Sequence, residues 1–434
     1  MKNHNVEALY HLDEKMNFFH AFPYGLQHVM AMFVSNLTPI LLVTAVCGYS
    51  PHEITFLIQN AMIIAGIGTL IQLFPVWKIG ARLPIVMGIS MSFVSTACII
   101  GAKYGYPSVI GAVIVGGLVE GTLGLFTKYW IKFIEPIVSA TIVLSIGISL
   151  LSVGAASFGG GQGATDFGSA SNWILGSITL VSCLLFNTLA PQKYKQLSVL
   201  FGLIVGYIAA LFMGKVDFSP LNNIRIISLP RILPIKPEFH LAPIISFILL
   251  YLVSATETIG DTSAVVASGL GREATVKETS GALACDGYIS SLSGVFGCLS
   301  ISSFSQNVGM IAVTKIVNRY AIATGALILI VAGIFPAVGA FMATLPNAVL
   351  GGCMMMLFGS IVVSGCEMIS RCGFTQRNIM IVSISLGIGI GFTQVPEIYN
   401  IFPETIRSLF STNSISGVFV VAMLLNLILP KNRE

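Results

Sequence analysis

The sequence predicts an all-α membrane protein that crosses the bilayer about fourteen times. Only 9% of its 434 residues are charged, against roughly 25% in soluble proteins, and 55% are hydrophobic. Apolar runs of about 20 residues recur along the chain, each long enough to cross a hydrocarbon core of about 30 Å. These observations exclude soluble, secreted and disordered classes and make the lipid bilayer a partner. The small net charge of +4 is scattered, so no nucleic-acid partner is expected.

Hydropathy places the transmembrane segments in order. The predicted spans cover residues 22–46, 54–76, 83–101, 107–126, 136–153, 172–190, 197–213, 241–260, 279–297, 299–315, 321–342, 346–365, 378–394 and 412–429. The ninth and tenth spans are the weakest, because residues 279–315 are rich in Ser and Gly and contain Asp286, Gln306 and Asn307. They are either a re-entrant hairpin or broken helices that face protein and water, since irregular backbone survives at membrane depth only where it lines a cavity.

The distribution of positive charge predicts the orientation. Residues 1–16 are polar and lack a cleavage-site pattern, so we expect a cytoplasmic tail rather than a signal peptide. If both termini are cytoplasmic, most of the 22 Lys and Arg residues fall in inside loops, as the positive-inside rule requires. The connection 215–240 is then extracellular, and the chain is a multi-pass protein of the cell (plasma) membrane.

Two pairs of segments indicate an internal repeat. Residues 88–92 in the third span and 302–309 in the tenth are both short, polar and interrupted by Gly or Ser. Pro136 opens the fifth span and Pro346 the twelfth, at a similar offset of about 210 residues, and an odd seven spans per half would make the halves inverted. Such pairs indicate a midplane substrate site in a secondary transporter, the alternative being chance Pro and Gly in a Gly-rich membrane protein.

Four acidic side chains lie inside predicted spans. An ionisable group there costs roughly 2.5–3.5 kcal/mol on insertion scales, so each is a functional candidate. Glu257 and Asp261 are four residues apart and share one face of the eighth helix. Asp286 lies in the ninth span and Glu120 in the fourth. Burial disfavours the charged form of a carboxyl, so one of these acids could carry a proton near neutral pH. The alternative roles are helix-end caps and structural hydrogen bonds.

One histidine, His28, lies well inside a span, directly after Gln27. Two hydrogen-bonding groups at a depth where lipid satisfies neither favour a role in a site over simple packing. The eight cysteines have no ligand-like spacing, and the chain shows no nucleophile–base set, metal cluster or phosphate-binding loop. An enzyme, a bound metal and an organic cofactor are therefore not expected.

Residues 306–315, QNVGMIAVTK, resemble the motif of the nucleobase-ascorbate transporter (nucleobase-cation symporter) family, Gln/Glu-Asn-x-Gly-x4-Thr-Lys/Arg/Gly, and match it completely. Residues 27–28, 257–261, 286–287 and 346–352 agree with the same family, so the resemblance covers nearly the whole chain. It implies fourteen spans in two inverted repeats of seven, with short, interrupted third and tenth spans, and usually a homodimer.

The same resemblance implies a core domain that carries the substrate past a gate domain. The core domain is expected to comprise residues 17–133 (spans 1–4) and 241–343 (spans 8–11). The gate domain is expected to comprise residues 134–214 (spans 5–7) and 344–430 (spans 12–14).

The resemblance also implies the site residues. Those expected to bind the substrate are Glu257, Gln306, Phe304, Ser305, Met91 and Ser90. Those that resemble positions supporting the site or the coupling are His28, Gln27, Asp261, Asp286, Asn307, Gly309 and Thr314. Family members with Gln at the first motif position tend to take xanthine or uric acid, and those with Glu tend to take uracil. A Gln amide offers a donor and an acceptor to a purine edge, whereas a carboxylate only accepts.

Met91 is a departure from the family, because many members place a Phe over the base at the aligned position, while here Phe93 stands two residues on. A methionine sulfur can still pack on a ring face.

We therefore predict a secondary active transporter that imports a purine base, xanthine first and uric acid second, by proton symport with an elevator-type motion. The coupling ion is expected to be H+. The alternatives are a permease for uracil or another nucleobase and an anion transporter or channel of the same fold. An anion site is expected to present a basic residue or bare helix N-termini, whereas this chain places Glu257 there.

Overall fold

A computed structural model describes residues 11–130, 135–161, 163–222, 226–403, 407, 410–411 and 414–430. Residues 1–10 of the predicted tail, the predicted boundary between residues 133 and 134, and the first two residues of the fourteenth span lie outside the described part. Within that part, sixteen α-helices and two short strands make up the regular structure, apart from short 3-10 and π turns.

The first eight helices are α1 (Phe18–Val46), α2 (Pro51–Leu73), α3 (Val94–Tyr104), α4 (Tyr106–Leu125), α5 (Thr127–Trp130), α6 (Pro136–Phe158), α7 (Ala170–Leu189) and α8 (Ser198–Phe212). The next eight are α9 (Leu241–Val265), α10 (Val276–Val295), α11 (Ser305–Thr314), α12 (Arg319–Ile334), α13 (Pro336–Ala343), α14 (Asn347–Cys372), α15 (Gln376–Gln394) and α16 (Ser414–Ile428). Strand β1 (Met87–Ile89) precedes α3, and strand β2 (Ile301–Ser303) precedes α11.

Several helices begin where the local sequence satisfies the free N–H groups of a first turn. Ser50 and Thr275 each start a capping box with the glutamate three residues later, at the beginning of α2 and α10. Pro136 opens α6, where its missing N–H removes no helical hydrogen bond. These starts are predictable from a few neighbouring residues.

Among the described residues, seven helices are long and apolar enough to cross a membrane: α1, α2, α4, α6, α7, α14, and α9 with its π-helical extension to Leu270. The chain is therefore a multi-pass helical membrane protein, as predicted. Helices α12 and α13 would form an eighth span together, but they are bent by 79°. The continuous span predicted for residues 321–342 is thus broken, because a proline pushes the residue before it out of helical geometry, and Phe335, before Pro336, has φ −95° and ψ 103°.

The third and tenth predicted spans are each a strand followed by a short helix. Strands β1 and β2 pair antiparallel with the register Met87 opposite Ser303, Gly88 opposite Ser302 and Ile89 opposite Ile301. Both strands are buried, so their remaining backbone groups need partners. The N–H of Met87 donates to Thr69 Oγ1 (3.0 Å) and that of Ile89 to Asn36 Oδ1 (2.7 Å). Residues 279–315 thus hold the continuous helix α10 and a strand-to-helix break at Phe304.

Glycine is required at Gly88 because the chains approach closely there. A Cβ on Gly88 would lie 2.6 Å from Met32 Cε, 2.8 Å from Asn36 Oδ1 and 2.8 Å from the Phe304 ring. Any side chain would push β1 away from α1 and from the start of α11.

The helices pack in two groups. Helices α1–α4 and α9–α12 mainly contact one another, and so do helices α6–α8 and α14–α16. Smaller contacts, such as that of α6 with α9, join the two groups. In the second group the buried Arg377 donates to the Glu135 carboxylate and to the Asn426 side-chain oxygen, both at 2.7 Å. This arginine ties the start of α6 to α15 and α16.

Candidate substrate site

A cavity of about 780 Å³ lies between α9 of the first group and α6, α14 and α15 of the second. Its size falls in the range of roughly 300–1,000 Å³ that holds small ligands. Glu257, Asp261 and Ser305 line it from the first group. The other polar lining residues are Glu135, Ser139, Thr256, Ser364, Glu367, Arg371 and Asn378. Two carboxylates that hydropathy singled out therefore face a space large enough for a small molecule.

Glu257 lies on α9 opposite the break after β1. Its Oε2 accepts a hydrogen bond from Ser92 Oγ at 2.9 Å, and Ser92 belongs to the 3-10 turn that joins β1 to α3. Ser90 is buried, and its backbone N–H donates to the Ser300 carbonyl at 2.9 Å, while Met91 is half-buried. The third span thus meets Glu257 through Ser92, which the sequence analysis did not select.

Asp261 lies one turn further along α9 and faces the break after β2. Its Oδ2 accepts hydrogen bonds from Ser303 Oγ and Ser305 Oγ, both at 2.9 Å. Ser303 ends β2 and Ser305 begins α11, so Asp261 holds the two sides of the break together. The supporting role of Asp261 in the substrate site stays a prediction.

Asp286 is fully buried on α10 behind the cavity. Its carboxylate accepts from Thr258 Oγ1 (2.6 Å), from the backbone N–H of Ser303 (2.9 Å) and from Gln72 Nε2 (3.0 Å). The three donors come from α9, β2 and α2, so Asp286 fixes these elements relative to one another. It is not among the residues that line the cavity.

Asn307 and His28 connect α11 to α1. Asn307 Nδ2 donates to His28 Nδ1 (2.9 Å) and to the His28 carbonyl (3.1 Å). With Nδ1 as the acceptor, a neutral His28 carries its proton on Nε2, an inference from the hydrogen-bond network. His28 Nε2, Asn307 Oδ1 and Gln306 Oε1 are buried without a partner among the described residues. Buried unpaired polar atoms are uncommon, so these three are candidate hydrogen-bonding groups for a ligand.

The remaining predicted residues occupy varied places. Phe304 is buried against Met32 and Val86, and its backbone N–H donates to the Val86 carbonyl at 2.9 Å. Thr314 Oγ1 donates to the Met310 carbonyl within α11. Gly309 and Gln27 are half-buried, on α11 and α1. Of the six residues predicted to bind substrate, Glu257 and Ser305 line the cavity, and Gln306, Phe304, Met91 and Ser90 do not.

Phe93 does not take the place of the aromatic residue that Met91 lacks. Its ring lies in the core, with its centroid 4.6 Å from that of Tyr251 and 5.6 Å from that of Phe247. The side chain therefore packs with two aromatic residues of α9 and is not a lining residue of the cavity.

Sequence reasoning missed the residues that hold the acids, namely Ser92, Ser303, Thr258 and Gln72. Each is a polar side chain inside an apolar or Gly/Ser-interrupted segment, which is the signal that could have found them. Within the part of the chain that the structure describes, no group of three or more His, Cys, Asp or Glu could hold a metal ion.

Comparison with known proteins decides the family. The family model described as "Permease family", the xanthine/uracil permease model, matches residues 19–398. The chain belongs to this permease family. The resemblance to nucleobase-ascorbate transporters is thereby confirmed, and the protein is a permease rather than an enzyme.

Characterised relatives match over nearly the full length. The chain is 33% identical to the xanthine permease of Bacillus subtilis over 412 residues, which cover 93% of this chain and 92% of the relative. It is 33% identical to the xanthine permease XanQ of Escherichia coli over 443 residues, covering 98% and 94%. It is 32% identical to the uric acid permease PucK of Bacillus subtilis over 391 residues, covering 90% and 91%.

Two solved structures share the fold. The transmembrane domain of the cyanobacterial bicarbonate transporter BicA has a TM-score of 0.62 at 16% identity and covers 96% of this chain and 98% of its own. The murine anion transporter Slc26a9 in its inward-facing state has a TM-score of 0.66 at 11% identity, covering 96% and 69%. Identities this low show the fold alone.

Proposed function

We propose that the permease imports a purine base, xanthine first and uric acid second, together with a proton. The observation that carries the proposal is the Glu257 carboxylate, which lines a cavity of suitable size and lies on the same helix face as Asp261. The substrate class is supported by relatives named xanthine permease and uric acid permease that match nearly the whole chain.

The chemistry of the site suits a purine. Xanthine and uric acid carry ring N–H groups next to carbonyls, so a carboxylate that only accepts can bind the N–H edge. Gln306 is the second residue of α11, and its buried Oε1 has no hydrogen-bond partner among the described residues. Its amide offers both a donor and an acceptor, which the mixed edge of a purine requires and a Glu at this position would not supply.

The proposed coupling ion is H+. Glu257 and Asp261 face the cavity, Asp286 and Glu120 lie behind it, and all four are inside helices. Among the described residues, the carboxylates of Glu257, Asp261 and Asp286 accept hydrogen bonds from hydroxyl groups, a side-chain amide and a backbone N–H. Sodium in proteins is surrounded by several oxygen ligands, whereas a proton needs one carboxylate, so this donor set favours the proton.

The proposed mechanism is an elevator motion of a core domain (residues 17–133 and 241–343) past a gate domain (residues 134–214 and 344–430). It is supported by the two packing groups and by a second cavity of about 540 Å³ between α1 and α3 of one group and α6 and α14 of the other. The larger cavity meets the start of α6 and the end of α14, and the smaller one meets the opposite ends. An elevator motion of the core domain would carry a bound substrate from one of these ends of the interface to the other.

We further propose fourteen spans in two inverted repeats of seven, a homodimer in the plasma membrane, and both termini in the cytoplasm. The strand–helix pairs β1–α3 and β2–α11 support the repeat, since they occupy equivalent positions and pair antiparallel. The larger cavity would then open to the cytoplasm, because Arg371 lines it and lies at the end of α14 that the positive-inside rule assigns to the cytoplasm.

The rival function is anion transport, which two proteins of the same fold perform. Glu257 and Asp261 count against a small inorganic anion, because two carboxylates facing the cavity would repel it and it offers no ring N–H edge to offset the repulsion. Arg371 also lines the cavity, but its side chain is largely exposed and lies within 3.9 Å of Glu367.

Uptake by bacterial cells without purine permeases of their own tests the substrate class. Cells that express the protein should accumulate labelled xanthine, with weaker accumulation of uric acid and none of bicarbonate, and a protonophore should stop the accumulation. Preferential uptake of uracil would replace the purine assignment, and uptake of bicarbonate would establish the anion alternative.

A further inference from the structure

Glu120 is a buried acid that the proposed substrate site does not use. It lies on α4 with no exposed surface, and neither of its carboxylate oxygens has a hydrogen-bond partner among the described residues. An ionised carboxylate in such a place would lack both water and a counter-ion. Burying an unpaired charge is far more costly than burying a neutral polar group.

The surroundings of Glu120 leave little room for a hydrated ion. Helices α4 and α10 touch backbone to backbone on both sides of it, one turn before and one turn after. A Cβ on Gly117 would lie 2.6 Å from Ser291 N, and one on Gly124 would lie 2.4 Å from Ala284 N. A proton is the one cation that can neutralise Glu120 without adding volume.

A polar neighbour connects Glu120 to the cavity. The Ser254 hydroxyl of α9 lies beside the carboxyl group, close enough to interact with it but without a well-aligned hydrogen bond. Ser254 and Glu257 are three residues apart on α9 and therefore lie on the same face, where Glu257 lines the cavity. Ser254 is thus a polar group that lies next to Glu120 and on the face of α9 that carries Glu257.

The other titratable groups around Glu120 are acidic or weakly acidic. Asp286 and Glu257 lie within electrostatic reach, and Tyr251 of α9 faces it as well. Tyr288 of α10 packs against Gly121, the next residue. The third helix packed on α4 is α3, whose Lys103 is exposed over the Tyr104 ring at the far end. A negative charge on Glu120 would thus be surrounded by further negative charges.

We propose that Glu120 is a second proton-binding carboxyl of the transport cycle, and that it exchanges its proton with the cavity through Ser254 and Glu257. In the exchange, protonated Glu257 donates its proton to the Ser254 oxygen while the Ser254 proton passes to ionised Glu120. One O–H bond breaks on Glu257, one forms on Glu120, and the total charge is unchanged. This inference rests on the proposed function but concerns a residue outside the substrate site.

The role predicts that loss of the Glu120 proton site affects coupling and spares recognition, because Glu120 does not line the cavity. Glu120→Gln keeps the shape and a neutral side chain but cannot exchange a proton. Ser254→Ala keeps the acid and removes the connecting hydroxyl. Thr122→Val is the matched control, since Thr122 lies on the exposed side of the same helix and bonds only to its own turn.

The test uses the full-length protein in liposomes with the membrane potential clamped at zero. Two quantities are compared: the steady-state ratio of inside to outside xanthine under a gradient of one pH unit, and the rate of xanthine counterflow without a gradient. Coupling to one proton gives an accumulation ratio of about tenfold per pH unit. Glu120→Gln should therefore lose about tenfold in accumulation and retain counterflow, Ser254→Ala should slow accumulation more than counterflow, and Thr122→Val should match the wild type.

Wild-type accumulation by Glu120→Gln would overturn the proposal. A second readout needs no transport: in the infrared C=O bands of protonated carboxyls, measured without substrate, one component that shifts in D2O should be missing from Glu120→Gln. Unchanged bands in that variant would also overturn the proposal, even if the variant transports poorly. Failure of the wild-type protein to take up any nucleobase would instead refute the proposed function, and the infrared band would still decide whether Glu120 holds a proton.

Discussion

Replacing Asp286 should show how much of the fold depends on one carboxylate. Asp286 is fully buried and accepts hydrogen bonds from Thr258, the Ser303 backbone and Gln72. In Asp286→Ala the Thr258 hydroxyl and the Ser303 N–H stay buried without a partner, whereas Gln72 Nε2 keeps its hydrogen bond to the Ala282 carbonyl at 3.0 Å. Each unpaired donor costs about 1–3 kcal/mol, so the variant should lose about 2–6 kcal/mol. A whole domain is stable by only about 5–15 kcal/mol, so this variant should lose a large share of its stability.

Asp286→Asn should destabilise the fold less, because one side-chain oxygen remains as an acceptor while an NH2 group faces one of the former donors. One unsatisfied donor predicts a loss of about 1–3 kcal/mol. Thermal unfolding in detergent can be followed with a thiol-reactive dye, because the neighbouring Cys285 is fully buried and reacts only after unfolding.

Asp217→Asn is the matched control, since Asp217 lies in an exposed loop and, among the described residues, its hydrogen bonds are to Ser219. Its unfolding midpoint should equal that of the wild type. An Asp286→Ala variant with a wild-type midpoint would refute the reasoning, because it would show that the three hydrogen bonds contribute nothing measurable.

Four further predictions concern the site, the fold and the coupling. Glu257→Gln should abolish xanthine uptake at normal expression, because the amide lacks the acceptor charge and the exchangeable proton; normal uptake would remove Glu257 from the site. Gln306→Glu should shift competition profiles from xanthine toward uracil, and an unchanged profile would contradict the role given to the amide. Gly88→Ala should reduce the yield of folded protein through overpacking of about 1–3 kcal/mol, whereas Gly391→Ala, which meets no atom within 4 Å, should not; equal yields would contradict the packing seen at β1. Xanthine uptake should also accelerate when the outside is acidified, and uptake that needs sodium instead would refute proton coupling.

The acids of the site were predictable because a charge at membrane depth is conspicuous in an apolar chain. Glu257, Asp261 and Asp286 all lie where polar partners surround them, and the break near Phe304 follows from the Ser and Gly content of residues 299–315. The family motif added the expectation that Gln306 binds the substrate together with Glu257, which no local pattern contains and which stays a prediction.

The partners of the acids were not predictable, because they come from distant parts of the chain. Ser92 reaches Glu257 from 165 residues away and Gln72 reaches Asp286 from 214 residues away. The direction of side chains in the third span was equally hidden, since a strand that turns into a 3-10 turn changes the face each residue points to. For that reason Ser92 rather than Ser90 meets Glu257, and Phe93 points into the core.

The sequence contained a signal for the bend between α12 and α13, but the hydropathy of the segment favoured a continuous span. Residues 321–342 form an apolar run long enough to span a membrane, and Pro336 lies inside it. A proline can either kink a spanning helix or end it, and tertiary contacts decide between the two. Here α13 leaves the direction of α12, and the T-shaped contact of Phe341 with Tyr207 of α8 accompanies the new direction.

A cryo-electron microscopy map of the protein with xanthine bound tests the central claim most directly. We expect density for a flat two-ring base in the cavity between α9 and α14, with one edge within hydrogen-bond distance of the Glu257 carboxylate and another facing the Gln306 amide. The same map from Glu257→Gln should lack this density. Density for the base only in the smaller cavity near Ser95 and Asn347, or none at Glu257 under saturating xanthine, would contradict the account.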